Sequence, residues 1–282
     1  MRRLLLNVAL IAATALSLSA CGKRDAEAPK APAPATSEAP AEDDRAMGAA
    51  GEVPDFEALA AATVADPRRP EADRLDDERR KPAAALAFME VKPGIAVFEL
   101  EAGGGWYTEL LSHGVGPQGS VVMQNPQGFL AFVGDKVAER LRDGRLANVR
   151  QSLSNFDALD APDASVDLVV WVQGPHELYY KPNGNSLGDP AKAYAEIARI
   201  LKPGGAFVAI DHSAESGAPE TTGNDLHRID KIIVMQMADQ AGLRLVGESD
   251  FLANPEDPLT VGVFDPSIRG RTDQFALRFV KE

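Results

Sequence analysis

Along most of the chain the apolar positions alternate between short β-branched runs and longer stretches with helical spacing, the pattern of βαβ units built on a mostly parallel sheet. Glu71 to Met89 is charged first and apolar later and stops at Lys92-Pro93-Gly94, which predicts a helix leading into the sheet. Strands are predicted at Ala96 to Glu101, Ser120 to Gln124, near Val149, Val166 to Val172 and Ala206 to Asp211. Helices are predicted between them, at Trp106 to His113, Phe129 to Leu141 and Pro190 to Leu201. A helix over Asp225 to Ala241, a strand at Arg244 to Ser249, a long loop and a strand at Gln274 to Val280 complete the chain. Strands alternating with helices, then two closing strands with no helix between them, predict an α/β Rossmann-like three-layer sandwich. Its seven-stranded sheet is mostly parallel, with one antiparallel strand near the C-terminus.

The first residues stand outside this pattern. Arg2 and Arg3 precede an apolar run that ends in small residues before Cys21, the layout of an export signal. The run is shorter than the ~20 apolar residues of a transmembrane helix. Leu18-Ser19-Ala20-Cys21 resembles the lipobox of bacterial lipoproteins, which implies acylation of Cys21 and removal of residues 1–20. The competing reading is a small buried cysteine beside an ordinary secretory cleavage site. Gly22, rather than an aspartate, follows the cysteine, and by the same resemblance this implies the outer membrane, facing the periplasm, as the anchor. Residues 21–53 are rich in Ala, Pro and Glu and carry almost nothing to bury, so they read as a disordered tether. The folded domain is expected over 54–282.

Composition narrows the function. Of 282 residues, 45% are hydrophobic and 25% charged, ordinary values for a folded chain. Twenty-nine basic against 42 acidic side chains give a net charge of -13, which argues against nucleic acid as a partner. One cysteine excludes a disulfide framework and a four-cysteine zinc site.

Candidate chemistry begins at Val97-Phe-Glu-Leu-Glu-Ala-Gly-Gly-Gly-Trp-Tyr, where glycines between a buried strand and a helix let a cofactor approach the backbone and the helix N-terminus. No Lys-Ser/Thr follows, so a P-loop is unsupported, and the spacing fits the dinucleotide fingerprint poorly. His176 follows the fourth predicted strand and His212 ends the fifth, on one rim of the sheet, with His227 opening the next helix. On that rim His176 and His212 are the candidates for a general base or an acceptor contact, the other reading being satisfied polar residues. No His-Glu-x-x-His or paired spacing supports a metal, and none is expected. His113 reads as a helix-terminus residue. The segment Asn254 to Thr272 is either a lid or a loop held by ion pairs.

Together with Phe156-Asp-Ala-Leu-Asp, Ser165-Val-Asp-Leu-Val-Val-Trp-Val and Arg199-Ile-Leu-Lys-Pro-Gly-Gly-Ala-Phe, the glycine stretch resembles class I S-adenosylmethionine-dependent methyltransferases. The blocks Ala209-Ile-Asp-His-Ser and Phe264-Asp-Pro-Ser-Ile-Arg-Gly-Arg are similar to a narrower group of predicted exported bacterial methyltransferases. The resemblance implies S-adenosyl-L-methionine as cofactor and a small-molecule acceptor. It puts Glu99 at the acidic position of the first motif, Gly103 and Gly105 at its second and third glycines, and Glu101 where the first glycine belongs. Glu101 brings a negative charge beside the methionine end of the cofactor, where it would repel the carboxylate and attract the ammonium, so Glu101→Gly is expected to tighten binding, or to weaken it if Glu101 pairs with the ammonium. Gln124 and Asn125 stand where an acid commonly holds the ribose, and Phe156 and Asp157 where the adenine is met, with core packing the other reading of Phe156. The alternative function is a non-catalytic envelope lipoprotein that binds a ligand on this fold.

Overall fold

The computed structural model describes residues 53–282. The expected signal, Cys21 and nearly all of the tether lie outside the described residues. A first helix not anticipated from the sequence, α1 (Phe56–Ala65), is started by Asp55, whose carboxylate accepts from the Ala58 N–H at 2.9 Å. The single leading helix expected over 71–89 is three short ones, α2 (Glu71–Arg74), α3 (Asp77–Arg80) and α4 (Pro82–Phe88). Pro82 cannot continue α3 because it lacks an N–H, and Lys81 turns through the left-handed region at φ 45° to restart the chain with Pro82 at the first helical position.

The strands then follow, β1 (Ala96–Leu100), β2 (Ser120–Gln124), β3 (Val149–Ser152), β4 (Val166–Val172), β5 (Leu201–His212), β6 (Leu243–Ser249) and β7 (Gln274–Lys281). The helices among them are α5 (Trp106–Val115), α6 (Leu130–Val133), α7 (Lys136–Arg140), α8 (Pro190–Ile200), α9 (Thr222–Leu226) and α10 (Lys231–Gln240). The helix expected over 129–141 is broken at Gly134, with φ 58°, into α6 and α7. The helix expected over 225–241 is broken at His227, with φ 53°, and α10 restarts under the Asp230 cap. Strand β5 begins five residues before its expected start. Leu201 pairs with Val166 and Ala206 with Leu168, so Lys202-Pro203-Gly204-Gly205 bulges out of the ladder.

The sheet order is β3-β2-β1-β4-β5-β7-β6, and β7 runs antiparallel to both of its neighbours, as expected. The period-two alternation of β4 feeds both faces: Leu168 and Val170 join a core with Leu86, Leu110 and Leu111 on the α1, α4 and α5 side. Val169 and Trp171 join the opposite core with Tyr194, Ile197 and Val234 under α8 and α10. Strand order reverses between β1 and β4, so the crevice outside their carboxyl ends is where this architecture binds ligands.

Candidate active site

The glycine turn leaves β1 at that reversal. Gly103 and Gly105 lie at φ 56° and 81°, and Gly105 caps α5 from the left-handed region. A side chain on Gly105 would meet Met123 at 2.9 Å, whereas a side chain on Gly103 would project into open space. Glu101 holds φ 51° without being glycine, a strained conformation at the point where β1 ends.

Gln124 and Asn125 have a different task from the ribose contact expected of them. Both are fully buried beneath the turn. Gln124 Oε1 accepts from the Glu101 N–H at 2.8 Å while its amide nitrogen donates to the Ser154 carbonyl at 2.6 Å. Asn125 Oδ1 accepts from the Gly103 N–H at 2.8 Å and its amide nitrogen donates back to the Gly103 carbonyl at 3.1 Å. The two amides therefore brace the turn and present nothing to a ligand above it. Phe156 is likewise core, 0% exposed with its ring 4.7 Å from that of Trp171. Asp157 lies apart from the glycine turn and accepts from the Asp189 N–H at 3.1 Å ahead of α8.

Glu99, Glu101 and Gly103 do come together, lining a cleft of about 700 Å³ over the turn. Glu99 is buried and accepts from the hydroxyl of Thr108. Burial pushes its carboxyl up to about 8, against the pull of Thr108 and the Arg140 charge. Glu101 accepts from the indole N–H of Trp171 at 3.1 Å. Burial and the nearby Glu177 raise its carboxyl well above the usual range. Among the described residues no basic side chain stands within salt-bridge reach of it. Sequence reasoning missed Arg140, which arrives on α7, donates to the Gly104 carbonyl at 3.1 Å and pairs with Asp73 and Glu109.

A second cleft, of about 870 Å³, shares Arg80, Tyr107, Val172 and Gln173 with the first. His212 lines it from the end of β5, with Thr272 Oγ1 2.8 Å from its Nδ1. Burial lowers this imidazole to about 4, which leaves it neutral. His176 lines neither cleft. It is buried, with Nδ1 2.8 Å from Asp211 Oδ1 and Nε2 3.2 Å from Glu177 Oε1. Burial opposes its charge, yet the carboxylates of Asp211 and Glu177 hold it up at about 10. The rim histidines are thus split, His212 facing a cleft and His176 packed with His227 behind it. His113 is a helix-end residue between Glu109 and Asp66, as expected.

The segment 254–272 is anchored by an ion pair no sequence pattern announced. Arg228 and Asp257 are both fully buried at the side chain and meet in a two-point contact at 2.9 and 3.0 Å. From that anchor the segment carries Phe264, Arg269 and Arg271 onto the wall of the second cleft.

Residues 99–209 match the family model described as Methyltransferase domain. The ubiquinone/menaquinone biosynthesis C-methyltransferase UbiE of Hydrogenovibrio crunogenus is 32% identical over 130 residues, 46% of this chain and 46% of that protein. The UbiE of Marinomonas sp. is 28% identical over 190 residues, 67% of this chain and 64% of that protein. The chain spans about half the length of the first of these curated relatives. A SAM-dependent methyltransferase from Aquifex aeolicus superposes with a TM-score of 0.53 at 22% identity, covering 74% of this chain and 96% of that one. The geranyl diphosphate C-methyltransferase of Streptomyces coelicolor A3(2) gives 0.52 at 17% identity, covering 78% and 84%. Sheet order, glycine turn and domain match together define the class I S-adenosylmethionine-dependent methyltransferase fold.

The residues present fit one end of S-adenosylmethionine. The open side of Gly103, the free N–H groups at the start of α5 and a Glu101 carboxyl without a basic partner suit an amino-acid group carrying an ammonium. The ribose and adenine contacts are not supplied by Gln124, Asn125 and Phe156, all of which are buried.

Proposed function

We propose that this chain is an S-adenosylmethionine-dependent methyltransferase acting on a small acidic acceptor held beside His212. The observation that carries the reading is the shared wall of Arg80, Tyr107, Val172 and Gln173, which puts the glycine-turn cleft and the His212 cleft side by side. When bound, the cofactor supplies a methyl group on a sulfonium, itself a good leaving group, so alignment matters more than a dedicated acid. Glu101 receives the ammonium, and the α5 N-terminus with Gly103 receives the carboxylate. Neutral His212, its Nδ1 occupied by Thr272, has Nε2 left to take a proton from the acceptor nucleophile. Arg269 and Arg271 make no ion pair among the described residues and supply positive charge for an acidic acceptor.

Transfer of labelled methyl from S-adenosylmethionine to a panel of small carboxylic and phenolic acids tests this. His212→Ala should lower turnover by about 10²-fold or more, and Arg269→Ala with Arg271→Ala should raise KM. Binding of S-adenosylhomocysteine without turnover of any acceptor would favour the ligand-binding alternative. The lipobox-like Leu18 to Cys21 supports anchorage to the outer membrane through acylated Cys21. Among the described residues no helix is long and apolar enough to cross a membrane.

A further inference from the structure

Behind the His212 cleft, three side chains from two segments aim their donor atoms at one point. His176 Nε2 and Glu177 Oε1 are 3.2 Å apart, His176 Nε2 and His227 Nδ1 3.3 Å, and His227 Nδ1 and Glu177 Oε1 3.4 Å. A metal bound tetrahedrally at 2.0–2.1 Å separates its ligand atoms by about 3.3 Å, so this near-equilateral triangle has the edge of a zinc coordination face. We propose that His176, Glu177 and His227 bind a divalent transition-metal ion of the zinc class, with a water as fourth ligand.

Four further observations point the same way. Asp211 accepts at 2.8 Å from the far nitrogen of His176, the outer carboxylate that orients metal-bound histidines. That contact leaves Nε2 as the ring atom facing the Glu177 oxygen and the His227 nitrogen, where a cation would take the place of the proton that otherwise holds the three together. Glu177 is 7% exposed, and its second oxygen is buried with no hydrogen-bond partner. His227 adopts φ 53°, a left-handed conformation rare outside glycine, at the break between α9 and α10. Finally, Gly223 lets α9 lie against the turn that carries His176, where a Cβ would stand 2.7 Å from the His176 carbonyl.

The ion would clip the turn after β4 to the segment after β5. His227 also meets Phe264, a wall residue of the His212 cleft, with ring centroids 5.0 Å apart, so the clip holds that wall in place. The site stands on its own geometry and does not depend on methyl transfer.

Metal analysis and Zn²⁺ titration of the untagged full chain test the proposal. The expected result is one equivalent of Zn²⁺, with affinity reduced at least 100-fold in both His227→Ala and Glu177→Gln and unchanged in His113→Gln. A measurement needing no variant accompanies it: stripping wild-type protein with a chelator should lower its Tm, and Zn²⁺ alone should restore it. Absence of Zn²⁺ binding, equal affinity in wild type and His227→Ala, or a Tm indifferent to chelator and Zn²⁺ would each overturn the proposal and leave a hydrogen-bonded cluster.

Discussion

The indole N–H of Trp171, near the end of β4, donates at 3.1 Å to the carboxyl of Glu101, just beyond the end of β1. The contact spans the point where strand order reverses, and Gly174 makes room for it. A Cβ on Gly174 would fall 1.7 Å from Trp171 Nε1 and 2.7 Å from Glu101 Oε2. Gly174→Ala should therefore displace a fully buried indole and destabilise the domain by about 1–3 kcal/mol or more. Trp171→Phe should remove the donor and cost a similar ~1–3 kcal/mol while keeping most of the packing. Denaturant melts of the two variants check this, and a Gly174→Ala protein as stable as wild type would show that the turn is not tightly packed there.

The buried pair of Arg228 and Asp257 ties the cleft wall to the chain just after His227. Removing one partner strands the other charge in the interior, so Asp257→Ala should lose about 3–5 kcal/mol. Replacing both, as Arg228→Met with Asp257→Leu, should lose less than either single change. Thermal unfolding of the three variants decides it, and simple additivity of the single losses would contradict the pairing.

Glu99 sets a pH dependence of stability. Its folded-state carboxyl is raised to about 8 by burial, above its unfolded value. The folded protein therefore holds a proton that the unfolded chain has released, and stability falls as pH rises from about 4.5 to 8. Glu99→Gln should flatten that decline, which is on the order of a few kcal/mol across the window. Urea melts at intervals from pH 5 to 9 provide the comparison, and parallel curves for the two proteins would sink the assignment.

The lipobox reading makes its own prediction. Cys21→Ser protein should stay uncleaved or lose its acyl mass, while the wild type fractionates with membranes, as intact mass and fractionation would show. Wild-type protein that is soluble and still carries Met1 would contradict it.

Much of the fold was legible because strand and helix periods are written directly in the chain. Ser120 to Gln124 and Val166 to Val172 are strands with their expected bounds, each flanked by turn residues. Two of the three helices that broke did so at left-handed residues, Lys81 and His227, that carry no glycine to mark them, whereas the third broke at Gly134. The site was less legible because spacing cannot show which way a side chain turns. Gln124 and Asn125 sit at the expected strand end but point beneath the turn, and Phe156 turns into the core. Asp211 and Asp257 went unnoticed since their partners are 35 and 29 residues distant, and Glu177 because, though next to His176, it meets His227 only once the turns after β4 and β5 come together. Of the two outcomes open for Glu101→Gly, weaker binding is the one its surroundings favour. Its carboxyl, acid-flanked and without a basic partner, suits a cofactor ammonium more than it repels a carboxylate.

Titration calorimetry of S-adenosylhomocysteine into the wild-type chain and Glu101→Gln decides whether Glu101 holds the cofactor's ammonium. Wild type should bind one equivalent and Glu101→Gln at least tenfold more weakly, a loss of about 1.4 kcal/mol or more. No binding to either protein, or tighter binding to Glu101→Gln, would contradict that role.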